Sequence, residues 1–97
     1  MKYQLLIKAE AMQDMAEAFD WYEKERTGLG IEFLDEAEAS YNRVIQHPEH
    51  YQSHQNQRIA VMHRFPYKIV YEIERETVVV YAVYHDKRNP ERLTERE

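Results

Sequence analysis

The run YKIVYEIERETVVVYAVY, residues 67–84, decides the fold. Its first half, residues 67–74, alternates with a period of two. One face carries Tyr67, Ile69, Tyr71 and Ile73, and the other carries Lys68, Val70, Glu72 and Glu74. The second half, residues 77–84, is apolar on both faces, as expected of a strand inside a sheet. The run therefore predicts two neighbouring antiparallel strands, with Ile69 towards the core and Lys68 towards an open face.

Two further stretches have the composition of strands. The sequence RIAVMHRF, residues 58–65, is rich in β-formers, and Pro66 separates it from the run that follows. The sequence YQLLIK, residues 3–8, alternates apolar and polar side chains and predicts a short first strand. Residues 47–57, HPEHYQSHQNQ, are polar and aperiodic, so they are interpreted as a loop.

Between the first strand and this loop, the apolar spacing changes to that of helices. The first helical stripe comprises Met12, Met15, Ala16, Phe19 and Tyr22, and the second comprises Phe33, Leu34, Ala37, Tyr41, Val44 and Ile45. Gly28 is a natural stop for the first helix, and Pro48 terminates the second. So short a connection predicts an antiparallel helical hairpin whose two stripes, including Met12 and Leu34, lie in the core.

Together these elements predict an α+β fold with the order β-α-α-β-β-β. The helical hairpin should pack on one face of a mostly antiparallel four-stranded sheet and leave the other face partly open. Residues 1–97 are too few for two independently cored units, so a single domain is expected.

Composition limits the classes of function. The chain has no cysteine, which excludes disulfides, thiolate nucleophiles and thiolate metal sites. No apolar run approaches the roughly 20 residues of a membrane span, so we expect no membrane association and a cytoplasmic location. Residues 1–49 carry 5 Lys/Arg against 11 Asp/Glu, whereas residues 50–97 carry 8 against 7. Any contact with nucleic acid must therefore come from a local patch in the second half.

Several segments together resemble the RelE/ParE superfamily of bacterial toxins from type II toxin–antitoxin systems. They are AFDWYEKERTGLGIEFLDE across the helical turn, Arg58 followed by RFPYKIVYEI, and AVYHDKRNPERLTER near the C-terminus. The resemblance covers nearly the whole chain, and the predicted element order agrees with the fold of that superfamily. It implies an intracellular toxin without a cofactor, neutralised by a cognate antitoxin, as a homodimer or as a toxin–antitoxin hetero-oligomer.

Members of the superfamily divide by target. ParE-like toxins, the plasmid-stabilisation type, poison DNA gyrase without catalysis of their own, whereas RelE-like toxins are mRNA interferases that cut messenger RNA in the ribosome. A ParE-like gyrase inhibitor is preferred here for three reasons: the acidic charge, the lack of a late tyrosine in ERLTERE, and the similarity of HDKRNPERL to ParE-like ends. The alternatives are a RelE-like endoribonuclease and an inactive module that only binds antitoxin.

The RelE-like alternative would place metal-free RNA cleavage on cationic side chains and an acid. Carried over by position, Arg58 and Lys68 match basic strand positions of that site, and Arg88 matches its arginine after the last strand. His85 could replace the missing tyrosine as the acid, because imidazole titrates near neutrality. The plainer interpretations are a solvated Lys68, a His85 that ends the strand, and an Arg88 that binds loop carbonyls.

A binding role for the basic residues is the other interpretation. Arg58 and Arg64 share parity along their run, which predicts both on the same open face as Lys68. Arg64, Arg88 and Arg92 are candidates for contacts with the target or the antitoxin, and Pro90 should hold Arg88 just beyond the strand end.

Two other groups of side chains have simpler explanations. His47, His50 and His54 have a spacing that could suggest a metal site, but a polar loop is favoured because ligand geometry is so specific. Trp21 lies off the main helical stripe, where a second packing face is favoured over a partner-binding role.

Overall fold

The structure is a computed structural model, and it describes residues 2–87. Two helices, α1 (Ala9–Glu25) and α2 (Leu29–Gln46), follow the first strand, β1 (Gln4–Ile7), and a single 3₁₀ turn (Pro48–His50) follows α2. The remaining strands are β2 (Ser53–His54), β3 (Gln57–Val61), β4 (Tyr67–Glu74) and β5 (Thr77–His85). The predicted α+β class and element order are confirmed.

The sheet has the order β1-β5-β4-β3-β2. β1 pairs with β5 in parallel, and the other neighbouring pairs are antiparallel. The predicted count of four strands is wrong by one, because the stretch interpreted as a loop contains β2. Gln55 and Asn56 both have positive φ, 51° and 73°, which is the geometry of a two-residue hairpin turn between β2 and β3.

The core lies between the helical hairpin and one face of the sheet. The predicted inward positions of β4 are confirmed, since Tyr67, Ile69 and Tyr71 are buried and Ile73 packs against the same cluster. Phe33 forms aromatic contacts with Tyr22, Phe65 and Tyr67 at centroid distances of 5.0–5.6 Å. On the opposite face Val70, Val79 and Ala82 are buried, whereas Leu6, Ile59 and Val61 are exposed.

The helical stripes differ from prediction in three places, one of which is Ala16, an exposed residue of α1. Met12 is 60% exposed and Leu34 is 36% exposed, so neither is a core residue. The positions facing the sheet include two carboxylates instead, Asp14 at 7% exposure and Glu36 at 8%. Each accepts a hydrogen bond from a backbone N–H group, Asp14 from Val83 N of β5 at 2.9 Å and Glu36 from His63 N of the loop after β3 at 3.0 Å. These bonds explain how the two carboxylates are tolerated inside.

The turn between the helices depends on Gly28 and Gly30. Gly28 has φ +91°, a left-handed conformation that side chains rarely adopt. Glu23 accepts hydrogen bonds from Gly28 N and Gly30 N at 2.9–3.1 Å, so a carboxylate closes the start of α2. The first helix already ends at Glu25 with Arg26 as its C-cap, so Gly28 is the N-cap of α2 and not the C-terminal stop of α1 that the sequence predicted.

Candidate functional site at one end of the sheet

The strand end singled out by the sequence carries an ion pair. Lys68, near the start of β4, donates to Asp86, just after β5, with Nζ and Oδ1 2.8 Å apart. The Asp86 backbone N–H also donates to Pro66 O at 2.8 Å, which holds this carboxylate against the β3–β4 loop. The pair lies on the face away from the helices, because Lys68 and its cross-strand neighbour Tyr84 alternate with buried Ile69 and Val83. Lys68 therefore points to the predicted face.

The ion pair changes the titration of both partners. The hydrogen bond to Asp86 raises the pKa of Lys68, and the same bond from Lys68 lowers the pKa of Asp86. Lys68 is therefore an ammonium ion at neutral pH and cannot act as a general base.

His85 lies on the other side of the sheet from Lys68. It pairs in register with Tyr67, and the two rings meet edge to face at 5.3 Å. Its Nδ1 accepts a hydrogen bond from Lys87 N at 3.0 Å, which ends the strand with a tight local turn. These contacts agree with the plainer interpretation that His85 ends the strand.

The predicted placement of Arg58 on the open face is wrong. Arg58 pairs in register with Tyr71, whose side chain is buried under the helices, so both residues share the helix-covered face. Its Nη1 donates to Glu49 O at 3.1 Å and to Tyr51 O at 2.8 Å. Tyr71 donates to Pro48 O at 2.6 Å beside it. Arg58 therefore fixes the segment that follows α2.

Arg64 was predicted on the open face with Lys68 from its parity along a strand. That parity does not apply, because β3 ends at Val61 and Arg64 lies in the following loop. Its Nη2 contacts Glu32 Oε1 at 2.8 Å, and Arg26 contacts the other carboxylate oxygen at 3.1 Å. The hydrogen bonds from Arg64 and then Arg26 lower the pKa of Glu32. Arg64 thus ties the β3–β4 loop to the start of α2 while its side chain remains more than half exposed.

The remaining candidates, Arg88 and Arg92, lie outside the described residues, as does Pro90. The arginine and lysine candidates that the structure does describe do not lie together in one site. Arg58 and Lys68 lie on opposite faces and about 10 Å apart along the strands, from a rise of about 3.3 Å per residue.

The histidine-rich segment forms a stacked pair. The His47 and His50 rings are nearly parallel, at a centroid distance of 4.8 Å and an interplanar angle of 6°. Within residues 2–87 no group of three His, Asp or Glu side chains is arranged to hold a metal ion. Neither of the described helices combines the length and apolar character needed to cross a bilayer.

Sequence reasoning missed three carboxylates that organise the protein. Asp14, Glu23 and Glu36 bind backbone N–H groups, whereas the sequence suggests only polar positions on amphipathic helices. Only Glu23 has a sequence signal, a glutamate placed five residues before a Gly-x-Gly turn. Asp14 and Glu36 each depend on a partner distant in sequence.

Comparison with known families decides the classification. A family model described as "ParE toxin of type II toxin-antitoxin system, parDE" matches residues 5–90. The chain belongs to the ParE toxin family. The suspected RelE/ParE membership is therefore confirmed.

The ParE fold also appears among solved structures. A chain of the "Chromosomal ParDE TA system from P. aeruginosa" has a TM-score of 0.77 and 10% sequence identity, covering 87% of this chain and 96% of that one. At this identity the likeness establishes the shared fold only. No curated protein sequence matches this ParE family member.

Proposed function

We propose that this ParE family chain is a toxin held inactive by a cognate antitoxin, and that its target is DNA gyrase. Membership of a family described by its type II toxin–antitoxin system supports the general role. The proposal implies a cytoplasmic location, because gyrase works on the bacterial chromosome.

Gyrase is preferred as the target because the described basic candidates, Arg58 and Lys68, lie apart. Metal-free RNA cleavage requires a base at the 2′-hydroxyl, cations at the phosphate and an acid at the leaving oxygen, all within about 3 Å of their atoms. Arg58 binds loop carbonyls on the helix-covered face, and Lys68 binds Asp86 on the opposite face. Arg58 and Lys68 therefore do not form such an arrangement with each other. A toxin that works by binding needs no such constellation.

The carboxylate of Asp86 also supports a protein target over an RNA target. It lies 2.8 Å from the ammonium of Lys68, and its lowered pKa keeps it ionised at neutral pH. A phosphate approaching Lys68 would therefore meet a fixed negative charge. The site is better suited to a protein partner than to an RNA backbone.

The target is tested with purified components. The chain is added to gyrase with relaxed plasmid and ATP, and separately to ribosomes programmed with messenger RNA. We expect loss of supercoiling and accumulation of cleaved plasmid, with the mRNA left intact. Topoisomerase I is the matched control, because its relaxation of the supercoiled form of this plasmid should be unaffected. Intact gyrase activity together with ribosome-dependent mRNA cuts would reject the proposal in favour of the RelE-like alternative.

The antitoxin is tested by coexpression. If a small protein is encoded beside the gene and expressed together with the chain, the two should copurify, and the isolated complex should not inhibit gyrase. Growth on induction of the chain alone, at an expression level that can be detected by immunoblot, would support the remaining alternative of an inactive binding module.

A further inference from the structure

The strand β1 forms an edge of the sheet and carries exposed apolar side chains. It is outermost in the order β1-β5-β4-β3-β2, and within residues 2–87 only β5 pairs with it. Leu5 is 37% exposed and Leu6 is 51% exposed. Because an unpaired strand edge can pair with a further strand, β1 is a candidate interaction surface.

The hydrogen bonds of β1 show which of its backbone groups face outward. Gln4 N and Lys8 N donate to carbonyl oxygens on the β5 side, at 2.7 Å and 2.9 Å. Because successive residues of a strand alternate, the N–H and C=O groups of Leu5 and Ile7 point away from β5. A further strand would bind these outward groups.

The side chains of β1 lie on two faces. Ile7 packs against the helix-covered core, and by alternation Leu5 lies on that side as well. Leu6 lies on the opposite face, beside Val79 of β5. A strand added to this edge would therefore cover exposed apolar side chains on both faces of the sheet.

The composition of β1 favours a second copy of the same strand as its partner. Lys2 and Lys8 flank the apolar segment, so a partner strand must be apolar at its centre and keep its own cations away from them. An antiparallel copy about a two-fold axis perpendicular to the sheet brings Leu6 of both copies together on one face. The assembly closes at two chains, because the opposite edge strand, β2, has only two residues, both polar and exposed.

One register matches both the backbone and the side chains. With the axis at Leu6, the outward groups of Leu5 exchange hydrogen bonds with those of Ile7 in the second copy. Leu6 faces Leu6 of the second copy in the closer type of antiparallel pair, where the side chains meet. Gln4 faces Lys8 of the second copy, so no like charges are opposed.

The neighbouring registers are less favourable. With the axis at Leu5, Lys2 would face Lys8 of the second copy, and like charges directly opposite each other destabilise a sheet. With the axis at Gln4, Lys2 would face the apolar Leu6. Both alternatives also give up the contact between the two copies of Leu6.

We propose that two copies of this chain dimerise by antiparallel pairing of β1 about a two-fold axis at Leu6, which joins two five-stranded sheets into one. The two helical hairpins then lie on the same side of the joined sheet. Because β1 has only four residues, the dimer is weak and its population depends on concentration. The pairing depends on the strand edge and not on the target of the toxin.

Dimerisation is tested by sedimentation equilibrium of the purified full chain over a wide range of concentrations. The molar mass should rise with concentration from that of a monomer towards that of a dimer. A chain that stays monomeric at every concentration would overturn the proposal.

The location of the interface is tested with two lysine variants. Leu6→Lys opposes two ammonium groups at the axis and should weaken dimerisation at least about tenfold. The matched control Ile59→Lys changes another exposed apolar residue on the same face, three strands away from β1, and should dimerise within about twofold of the original chain. Circular dichroism melts check that both variants remain folded. Equal weakening by the two variants would overturn the assignment to β1.

The register is tested by disulfide crosslinking, because the chain has no cysteine of its own. In the proposed register the two copies of Leu6→Cys face each other with Cα atoms about 4.5 Å apart, within the range that a disulfide spans. In air, Leu6→Cys should form covalent dimers at least about tenfold faster than Leu5→Cys or Gln4→Cys, which report the two neighbouring registers. Faster crosslinking at either of those positions, or equal rates at all three, would overturn the proposal.

Discussion

Single buried carboxylates hold distant parts of this ParE family chain together. Asp14 on α1 binds the backbone of β5 close to the irregularity at Val70 and Tyr71, where the β4–β5 register shifts. Glu36 on α2 binds His63 N, Ser40 and Arg43. An acid on a helix usually indicates a solvated face, so neither role could be predicted from the sequence. The N–H groups that they bind are 69 and 27 residues away.

Removing the Asp14 carboxylate should destabilise the fold. In Asp14→Ala the buried Val83 N–H loses its acceptor, and we expect a loss of about 2–3 kcal/mol in the free energy of unfolding. Asp14→Asn keeps an acceptor oxygen and should lose less. Urea unfolding measures both, with Gln13→Ala as the exposed control on the same helix. Equal stability of Asp14→Ala and the original chain would show that the bond to Val83 does not contribute.

Glu36 should make stability depend on pH in the acid range. Its burial alone would raise its pKa, but the hydrogen bonds from His63 N, Arg43 and Ser40 outweigh burial and lower the pKa below the ordinary value of 4.5. A lowered folded-state pKa gives stability that is present above the ordinary pKa and is lost as pH falls through the folded value.

The variant Glu36→Gln tests this dependence. It should lose about 1–2 kcal/mol at pH 7, because a neutral acceptor forms weaker hydrogen bonds. Below pH 4.5 its stability should fall less steeply than that of the original chain, since one titrating group is gone. The stability of Glu36→Gln should still fall somewhat in acid, because Glu32 and Asp86 also have lowered pKa values. Parallel curves of stability against pH for the two proteins would contradict the account.

At the scale of elements, the helical hairpin was predictable and the sheet only partly so. The apolar period of 3.6 and Gly28 located α1 and α2 to within a few residues. The two-residue strand β2 was missed because so short a segment has no periodicity of its own. Its turn residues, Gln55 and Asn56, are a weak signal compared with Asn-Gly.

The candidate site was predicted less well than the fold, because the sequence does not show where β3 ends or which residues of β4 it pairs with. Side-chain parity holds only along a continuous strand, and β3 ends at Val61. The loop between Val61 and Tyr67 separates Arg64 from that alternation, and no pattern indicates that Arg58 pairs with Tyr71. Lys68 was placed correctly because it lies within the same strand as Ile69.

The close contact between the helices gives a prediction for the hairpin. A side chain at position 30 would strike the Phe19 ring, so Gly30→Val should lower the free energy of unfolding by about 2–3 kcal/mol. Adding Phe19→Ala makes room, and the double variant should lose less than the sum of the single variants. Thermal unfolding of the four proteins measures the coupling. Additive losses would mean that the two residues do not meet. Gly28→Asn is the control, because asparagine tolerates a positive φ.

At the scale of the whole molecule, the helical side and the open face of the sheet differ in their charged groups. The two helices hold most of the carboxylates, whereas the Lys68–Asp86 pair lies on the face of the sheet away from them. Among residues 2–87, Arg58 and Lys68 bind partners on opposite faces of the sheet, which supports the proposal that the toxin acts by binding a protein.

The most direct test of that central claim is pulse labelling in a bacterial host. Thymidine and methionine incorporation are followed over the first minutes after tightly controlled induction of the chain without antitoxin. If gyrase is the target, DNA synthesis should fall first and a DNA-damage response should follow, while protein synthesis continues. A host with a resistant gyrase should be protected. An immediate fall in protein synthesis, with DNA synthesis declining only later, would contradict the account and assign the toxin to the ribosome.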